Sequence, residues 1–365
     1  MRAARNRPPR WDSLSRSAQP AEAKHVRQAR KESPARGKTH LAGRRLNLSA
    51  LPAGPLRIVF LGTPDLAASV LRELRKGPDT IVGAFTKPDA RKGRGLQWLA
   101  PPVKDVAEEF GIPVYQPENW RDSATLDTLR SLKPDLAITA AYGRILPQAA
   151  LEIPKFGCLN VHASLLPRWR GADPIRQAIL AGDAETGITI MEMVLEMDAG
   201  DALWQRKLTI ADHDTLASLE SRMASLGGST LTEALKLWRA GDLRATAQDS
   251  SRVTMAPLCR KADGKIAWTD SASAIERRIR AFSPWPGATS QFAEQTLRIW
   301  QADLEETSTK AAPGELIAVD KNGLLVATGT GALRLIEIQP AGKKRMLAAD
   351  WARGARLTAG MRLGS

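Results

Sequence analysis

From Leu56 onward the chain alternates short, nearly unbroken apolar runs with helical patterns, and this alternation restricts the fold more than any other feature. RIVFLG, IVGAFT, PDLAITAAYG, FGCLNVHA and GITIMEMVLE read as strands. A strand apolar at consecutive positions must be covered on both faces, which parallel sheets achieve with crossover helices. The intervening text supplies them. TPDLAASVLRELRKG puts Leu66, Val70, Leu71 and Leu74 on one helical face. PPVKDVAEEFG opens on proline and places Val103, Val106, Ala107 and Phe110 at i, i+3, i+4, i+7. The predicted fold is therefore α/β, a doubly wound, mostly parallel sheet. DTLASLESRMASLGGSTLTEALKLW closes that domain as one long helix, or as two joined at Gly227-Gly228.

After a polar stretch, ATAQDSSRVTMAP, the periodicity changes. One helical run, SASAIERRIRAF, is followed by ATSQFA, LRIWQAD, GELIAVD, GLLVATG and ALRLIEIQP. Short strands parted by turn signals predict a small antiparallel barrel of OB-like character. The expected organisation is a basic, disordered head over 1–54, a catalytic domain over 55–241, a linker over 242–257 and the barrel over 258–365.

Charge follows this division. The formal net charge is +14. Residues 1–54 carry 13 Lys and Arg against 3 Asp and Glu, residues 251–365 carry 17 against 11, and the stretch between carries 23 against 25. A near-neutral middle between basic ends suits small-molecule chemistry flanked by surfaces that attract a polyanion. No apolar run approaches a membrane span and the start lacks a secretory apolar core, so a cytoplasmic protein is expected. An organelle transit segment is the alternative reading of the Arg-rich, acid-poor head. Two cysteines, Cys158 and Cys259, match no metal spacing, and four scattered histidines make no standard zinc site.

FLGTPDLA follows a strand and opens a helix, but its single glycine gives neither a GxGxxG nor a P-loop pattern. ARKGRGLQWL is a glycine-bracketed basic loop carrying Arg91, Lys92 and Arg94 and ending in Trp98, suited to closing over a nucleic-acid strand. NVHASLLPRWRG is more specific. In open parallel sheets ligands bind at the carboxyl ends of strands, and alternation places Asn160 and His162 on the same side. The next strand ends in MVLEMDAGD, where Asp198 precedes Gly200, a glycine expected to permit a sharp turn. With neither metal nor nucleophile signature, Asn160, His162 and Asp198 suit direct acyl transfer. Asn160 and a donating His162 would stabilise an oxyanion, while Asp198 holds the imidazole and relays protons.

AFTKPDARKGRG, AAYGRILP, GCLNVHASLLPRWRGADPI, GITIMEMVLEMDAGDAL, RAFSPWPGA and QPAGKKRM occur in this order. Together they resemble the methionyl-tRNA formyltransferase family over roughly residues 56–363. The resemblance implies transfer of the formyl group of 10-formyltetrahydrofolate, the donor substrate, to the amino group of initiator methionyl-tRNA; a monomer without a metal is expected. It makes Asn160, His162 and Asp198 catalytic. Ser164, Leu165, Leu166 and Pro167, with Tyr142, Gly143, Ile145 and Leu146, would bind the folate. Arg91, Lys92, Arg94, Lys343 and Lys344 would contact tRNA. Where the family usually has Asp, Gly and Leu this chain has Val194, Glu196 and Met197, and Asp173 stands in place of a typical alanine. Rival readings are another folate-dependent formyltransferase, a formyltetrahydrofolate hydrolase, or a non-enzymatic RNA-binding protein.

Overall fold

In β1 (Arg57–Gly62) every residue after Arg57 is buried, and its side chains divide between two cores. Ile58 and Phe60 point into one cluster, Val59 and Leu61 into another. The computed structural model describes Leu46, Leu48 and residues 51–92 and 97–364. The expectations for residues 1–45 and for Arg94 lie outside the described residues. The tail of the expected head does not: Leu46, Leu48 and Leu51 pack on the core, and Arg239 donates to the carbonyls of Pro52 and Gly54. The packed chain therefore begins before Leu56.

The elements after β1 are α1 (Asp65–Leu74), β2 (Thr80–Phe85), the short β3 (Ala90–Lys92) and β4 (Gln97–Leu99), and α2 (Pro102–Glu109). Next come β5 (Val114–Tyr115), α3 (Ser123–Ser131), β6 (Leu136–Ala140), α4 (Gln148–Leu151) and β7 (Cys158–His162). They are followed by β8 (Arg170–Gly171), α5 (Pro174–Ala181), β9 (Glu185–Glu192), β10 (Ala202–Thr209) and α6 (Leu216–Ala240). The main sheet has the order β10-β9-β7-β6-β1-β2-β5. Its pairs are parallel from β5 to β7, whereas β7–β9 and β9–β10 are antiparallel.

β9 thus runs against β7, an antiparallel edge on a mostly parallel sheet. His162 pairs with Thr189 and Leu159 with Glu192, so the carboxyl end of β9 lies beside the start of β7. The connection explains it. The eight-residue α5 packs against α6 and a later helix, and its left-handed cap at Gly182 releases the chain near the end of β7. The strand that follows must run back.

Helix α6 is continuous through Gly227-Gly228. A Cβ at Gly228 would lie 2.6 Å from Glu73 Cβ, and one at Gly227 would lie 3.2 Å from Val70 Cγ2. The glycines let α1 and α6 approach closely rather than break the helix. Its N-terminus is closed by reciprocal bonds between Thr215 and Ser218.

A strand of two residues, β11 (Met255–Ala256), pairs with β8 in parallel. The chain then forms α7 (Ala272–Ala281), β12 (Ala288–Phe292), β13 (Gln295–Glu305), β14 (Leu316–Asp320), β15 (Gly323–Ala327), β16 (Ala332–Pro340), β17 (Met346–Leu347) and α8 (Ala348–Ala355). These strands build an antiparallel sheet ordered β12-β13-β16-β15-β14, with β17 on β16, over its own core of Ile275, Ile299, Leu324, Leu335 and Ile338. The strand-and-turn spacing predicted a domain of this class.

The two sheets are joined through α5 and α7. Arg176 donates through Nη1 to the carbonyls of Ala281 (2.8 Å) and Trp285 (2.9 Å), through Nε to Asp173 (2.7 Å), and stacks on Phe282. Phe282 and Ala281 belong to the core of the first sheet. Asp173, unusual for the resembled family, is thus the carboxylate partner of the arginine at this seam.

Candidate active site

Asn160 and His162 leave β7 on the same face, as alternation requires, while Val161 enters the core beneath. Asp198 reaches them from a loop. After β9 the chain passes Met193, whose N–H donates to the Cys158 carbonyl at 2.9 Å, and folds back beside β7 before β10 starts at Ala202. The Asn160 amide donates to Asp198 Oδ1 at 3.4 Å, and His162 Nδ1 lies 3.7 Å from the same oxygen. The three side chains predicted to meet are therefore brought together, Asp198 by a returning loop.

The turn differs from the sequence expectation. Asp198 itself takes the left-handed conformation, with φ 49°, whereas Gly200 has no positive φ. Gly200 is needed for space, because a Cβ there would overlap the Glu192 carbonyl oxygen.

The segment after β7 encloses the imidazole. His162 Nε2 lies 2.9 Å from the Trp169 carbonyl, and the Gly171 N–H donates to Asp198 Oδ2 at 2.8 Å. Trp169 is also left-handed, with φ 64°. It is fixed by Asp183, which accepts from its indole N–H (2.7 Å) and twice from Arg168 (2.9 and 2.6 Å). Each ring nitrogen thus faces an oxygen, that of Trp169 at Nε2 and that of Asp198 at Nδ1. Nε2 is engaged by the Trp169 carbonyl, whereas the 3.7 Å from Nδ1 to Asp198 exceeds hydrogen-bonding distance. The Asn160 amide retains a second N–H.

The residues expected to bind folate divide by burial. Ser164 and Leu166 are buried and their polar groups are used internally. Ser164 Oγ donates to the Arg168 carbonyl, Thr189 Oγ1 donates to the Ser164 carbonyl and accepts from the Leu166 N–H, and Gln205 donates to the Leu166 carbonyl. Tyr142 is buried, its hydroxyl accepting from the Trp120 indole at 2.9 Å, and burial raises its pKa. Leu146 is buried as well. Accessible surface remains on Gly143, Ile145, Leu165 and Pro167. Gly143, at φ 68°, approaches Lys87 so closely that a Cβ would lie 2.5 Å from Nζ.

Among the basic residues, Arg91 is exposed and stacks its guanidinium 5.4 Å from the Trp98 ring, itself 66% exposed. Arg94 and the side chain of Lys92 lie outside the described residues. Lys343 and Lys344 are exposed between β16 and β17. Sequence reasoning passed over Asp183, Thr189, Gln205 and Gln248, polar residues in strands, turns or a linker. Only spatial neighbourhood distinguishes them from solvated surface.

A profile described as formyl transferase matches residues 56–235, and one described as formyl transferase, C-terminal domain, matches 259–356. The chain is 48% identical over 309 residues to the methionyl-tRNA formyltransferase of Acidithiobacillus ferrooxidans, covering 84% of this chain and 98% of that one. It is 46% identical to that of Methylococcus capsulatus, covering 85% of this chain and all of the relative. Among solved structures it resembles HypX from Aquifex aeolicus in complex with tetrahydrofolic acid. The TM-score is 0.56 at 21% identity, over 82% of this chain and 47% of that longer one, a likeness of fold.

Proposed function

The chain belongs to the methionyl-tRNA formyltransferase family, and we propose on that basis that it moves the formyl group of 10-formyltetrahydrofolate onto the amino group of initiator methionyl-tRNA. The observation that carries the mechanism is the meeting of an amide, an imidazole and a carboxylate around Asp198 Oδ1.

The amine nitrogen attacks the formyl carbon, the carbonyl oxygen becomes an oxyanion, and the bond from that carbon to the folate nitrogen then breaks. The amine sheds a proton and the departing nitrogen gains one. Asn160 donates its free N–H to the oxyanion, whose charge grows only as the transition state forms. For His162 to donate too, its ring must release the Trp169 carbonyl. Its distance to Asp198 must also shorten, a tightening common when substrate loads. Asp198 then holds the charged ring and passes protons through water. Gly143, Ile145, Leu165 and Pro167 offer the accessible surface for folate, with Tyr142, Leu146, Ser164 and Leu166 shaping it from behind. Arg91, Lys92, Arg94, Lys343 and Lys344 engage tRNA phosphates.

The test is incubation with labelled formyl donor and methionylated initiator tRNA, with elongator methionyl-tRNA as control. Formylation of the initiator species is expected, and His162→Ala should reduce it by about a hundred- to a thousandfold while the melting temperature holds. Wild-type turnover in that variant would remove the mechanism. Formylation of a free amino sugar or nucleotide instead would assign a different acceptor.

A further inference from the structure

We propose that Gln248, in the segment connecting the two sheets, is a positioning residue for Asp198 and through it for formyl transfer. The inference rests on the catalytic reading of Asn160, His162 and Asp198 above.

By sequence, residues 242–257 are a polar tether. In the fold they run along the candidate site. Thr246 exchanges both backbone hydrogen bonds with Ala202, the first residue after the Asp198 loop, at 2.9 and 2.8 Å. Thr254 accepts from the Arg170 N–H through its carbonyl (2.9 Å) and from the Trp169 N–H through its hydroxyl (2.9 Å). Gln248 lies between these anchors. Its Nε2 donates to the carbonyls of Asp198 (2.8 Å) and Gly200 (2.7 Å), and its Oε1 accepts from Arg170 Nε at 2.9 Å. One side-chain amide uses both N–H groups and its oxygen to tie the Asp198 loop to β8. That strand in turn supplies the Gly171 N–H to the Asp198 carboxylate.

The loop needs such a tie. Val194, Leu195 and Met197 are exposed, so apolar burial does not hold its shape. Asp198 sits at φ 49°, a left-handed conformation uncommon for residues other than glycine, which contacts from the surroundings help to hold. Gln248 grips the carbonyl of that very residue. Without it the backbone at Asp198 is free to leave the left-handed region, and the carboxylate moves relative to the imidazole. A displacement of about 1 Å at such a group is enough for a rate loss on the order of a hundredfold.

The chemistry of the amide sets the variants. Gln248→Glu keeps the size and the acceptor for Arg170 but replaces both donors with an anion facing two carbonyl oxygens. Gln248→Ala removes every tie. Steady-state formylation of methionylated initiator tRNA by the full chain separates kcat from KM for donor and tRNA, and melting temperature is read alongside. Gln248→Glu is expected to lower kcat about 10- to 100-fold with both KM values within about twofold. In an Asp198→Asn background the same change should cost less than about threefold, because it acts through Asp198. A Gln248→Glu enzyme within twofold of wild-type kcat would overturn the proposal, as would an equal loss in both backgrounds. If Gln248→Ala does not fold, the near-isosteric Gln248→Glu decides alone. Normal turnover in Asp198→Asn would sink the catalytic reading and this inference with it. An impaired Asp198→Asn beside an unimpaired Gln248→Glu would sink this inference only.

Discussion

Replacing Arg176 by Met keeps a long side chain at the seam between the two sheets and deletes only its guanidinium. That group is 7% exposed and donates to the carbonyls of Ala281 and Trp285 and to Asp173, itself 15% exposed. The variant strands two backbone carbonyls and one carboxylate in a poorly hydrated place. A hydrogen bond to a charged group contributes about 1.5–3 kcal/mol, and removing one partner of a buried ion pair costs about 3–5 kcal/mol. These describe overlapping losses rather than separate ones, so the expected destabilisation is about 4 kcal/mol. At about 2–4 °C per kcal/mol for domains of 150–250 residues, the melting temperature should fall by roughly 10 °C. Asp173→Ala should cost less, because Arg176 keeps both carbonyls and the Phe282 ring. The double variant should be no worse than Arg176→Met, since Asp173 has then lost the partner it served. Urea and thermal unfolding of the four proteins complete the cycle. A cost for Arg176→Met within about 0.5 kcal/mol, the range of an ordinary surface change, would refute the seam as a stabilising contact. Additive losses in the double variant would refute the pairing of Asp173 with Arg176.

Two further outcomes are expected. Burial, with the nearby Glu192 charge, pushes the Cys158 thiol up to about 12 from an ordinary value of 9.0. The unfolded thiol therefore ionises while the folded one keeps its proton, so this group's contribution is full below pH 9 and declines between 9 and 12. Cys158→Ala should remove up to about 1.4 kcal/mol per pH unit from the slope of stability in that window. An unchanged slope would show that the thiol ionises in place. Gly200→Ala should lower kcat by about tenfold or more, because its Cβ overlaps the Glu192 carbonyl and must push the Asp198 loop off β9. Unimpaired turnover would mean that the loop has room to spare.

Local pattern made much of this protein legible. The apolar runs at 57–62, 80–85, 136–140 and 158–162 had few places to go except a sheet covered on both faces, and they form its centre. Strands β12 to β16 fall on the short runs that turn residues separate. Less visible were β5, β10, α3, α5 and α8, which are short or mixed in polarity and gain their definition from what they pack against. At the site, the same-side placement of Asn160 and His162 follows from alternation alone. The environment of His162 does not, since the Trp169 carbonyl that occupies Nε2 is a backbone group that any residue carries.

The amino-acid sequence determined which stretches are buried on both faces, where strands and turns alternate, and that Asn160 and His162 share one side of their strand. Each of these follows from interactions within a few residues of one another. Only the tertiary structure decided that β9 runs against β7, that Asp198 returns through a left-handed loop, that a polar tether doubles as its brace, and that Arg176 takes Asp173 and two carbonyls across the seam. Those outcomes depend on which distant groups can satisfy one another once the apolar faces are covered, and pairings across 50 or 100 residues leave no local periodicity to read.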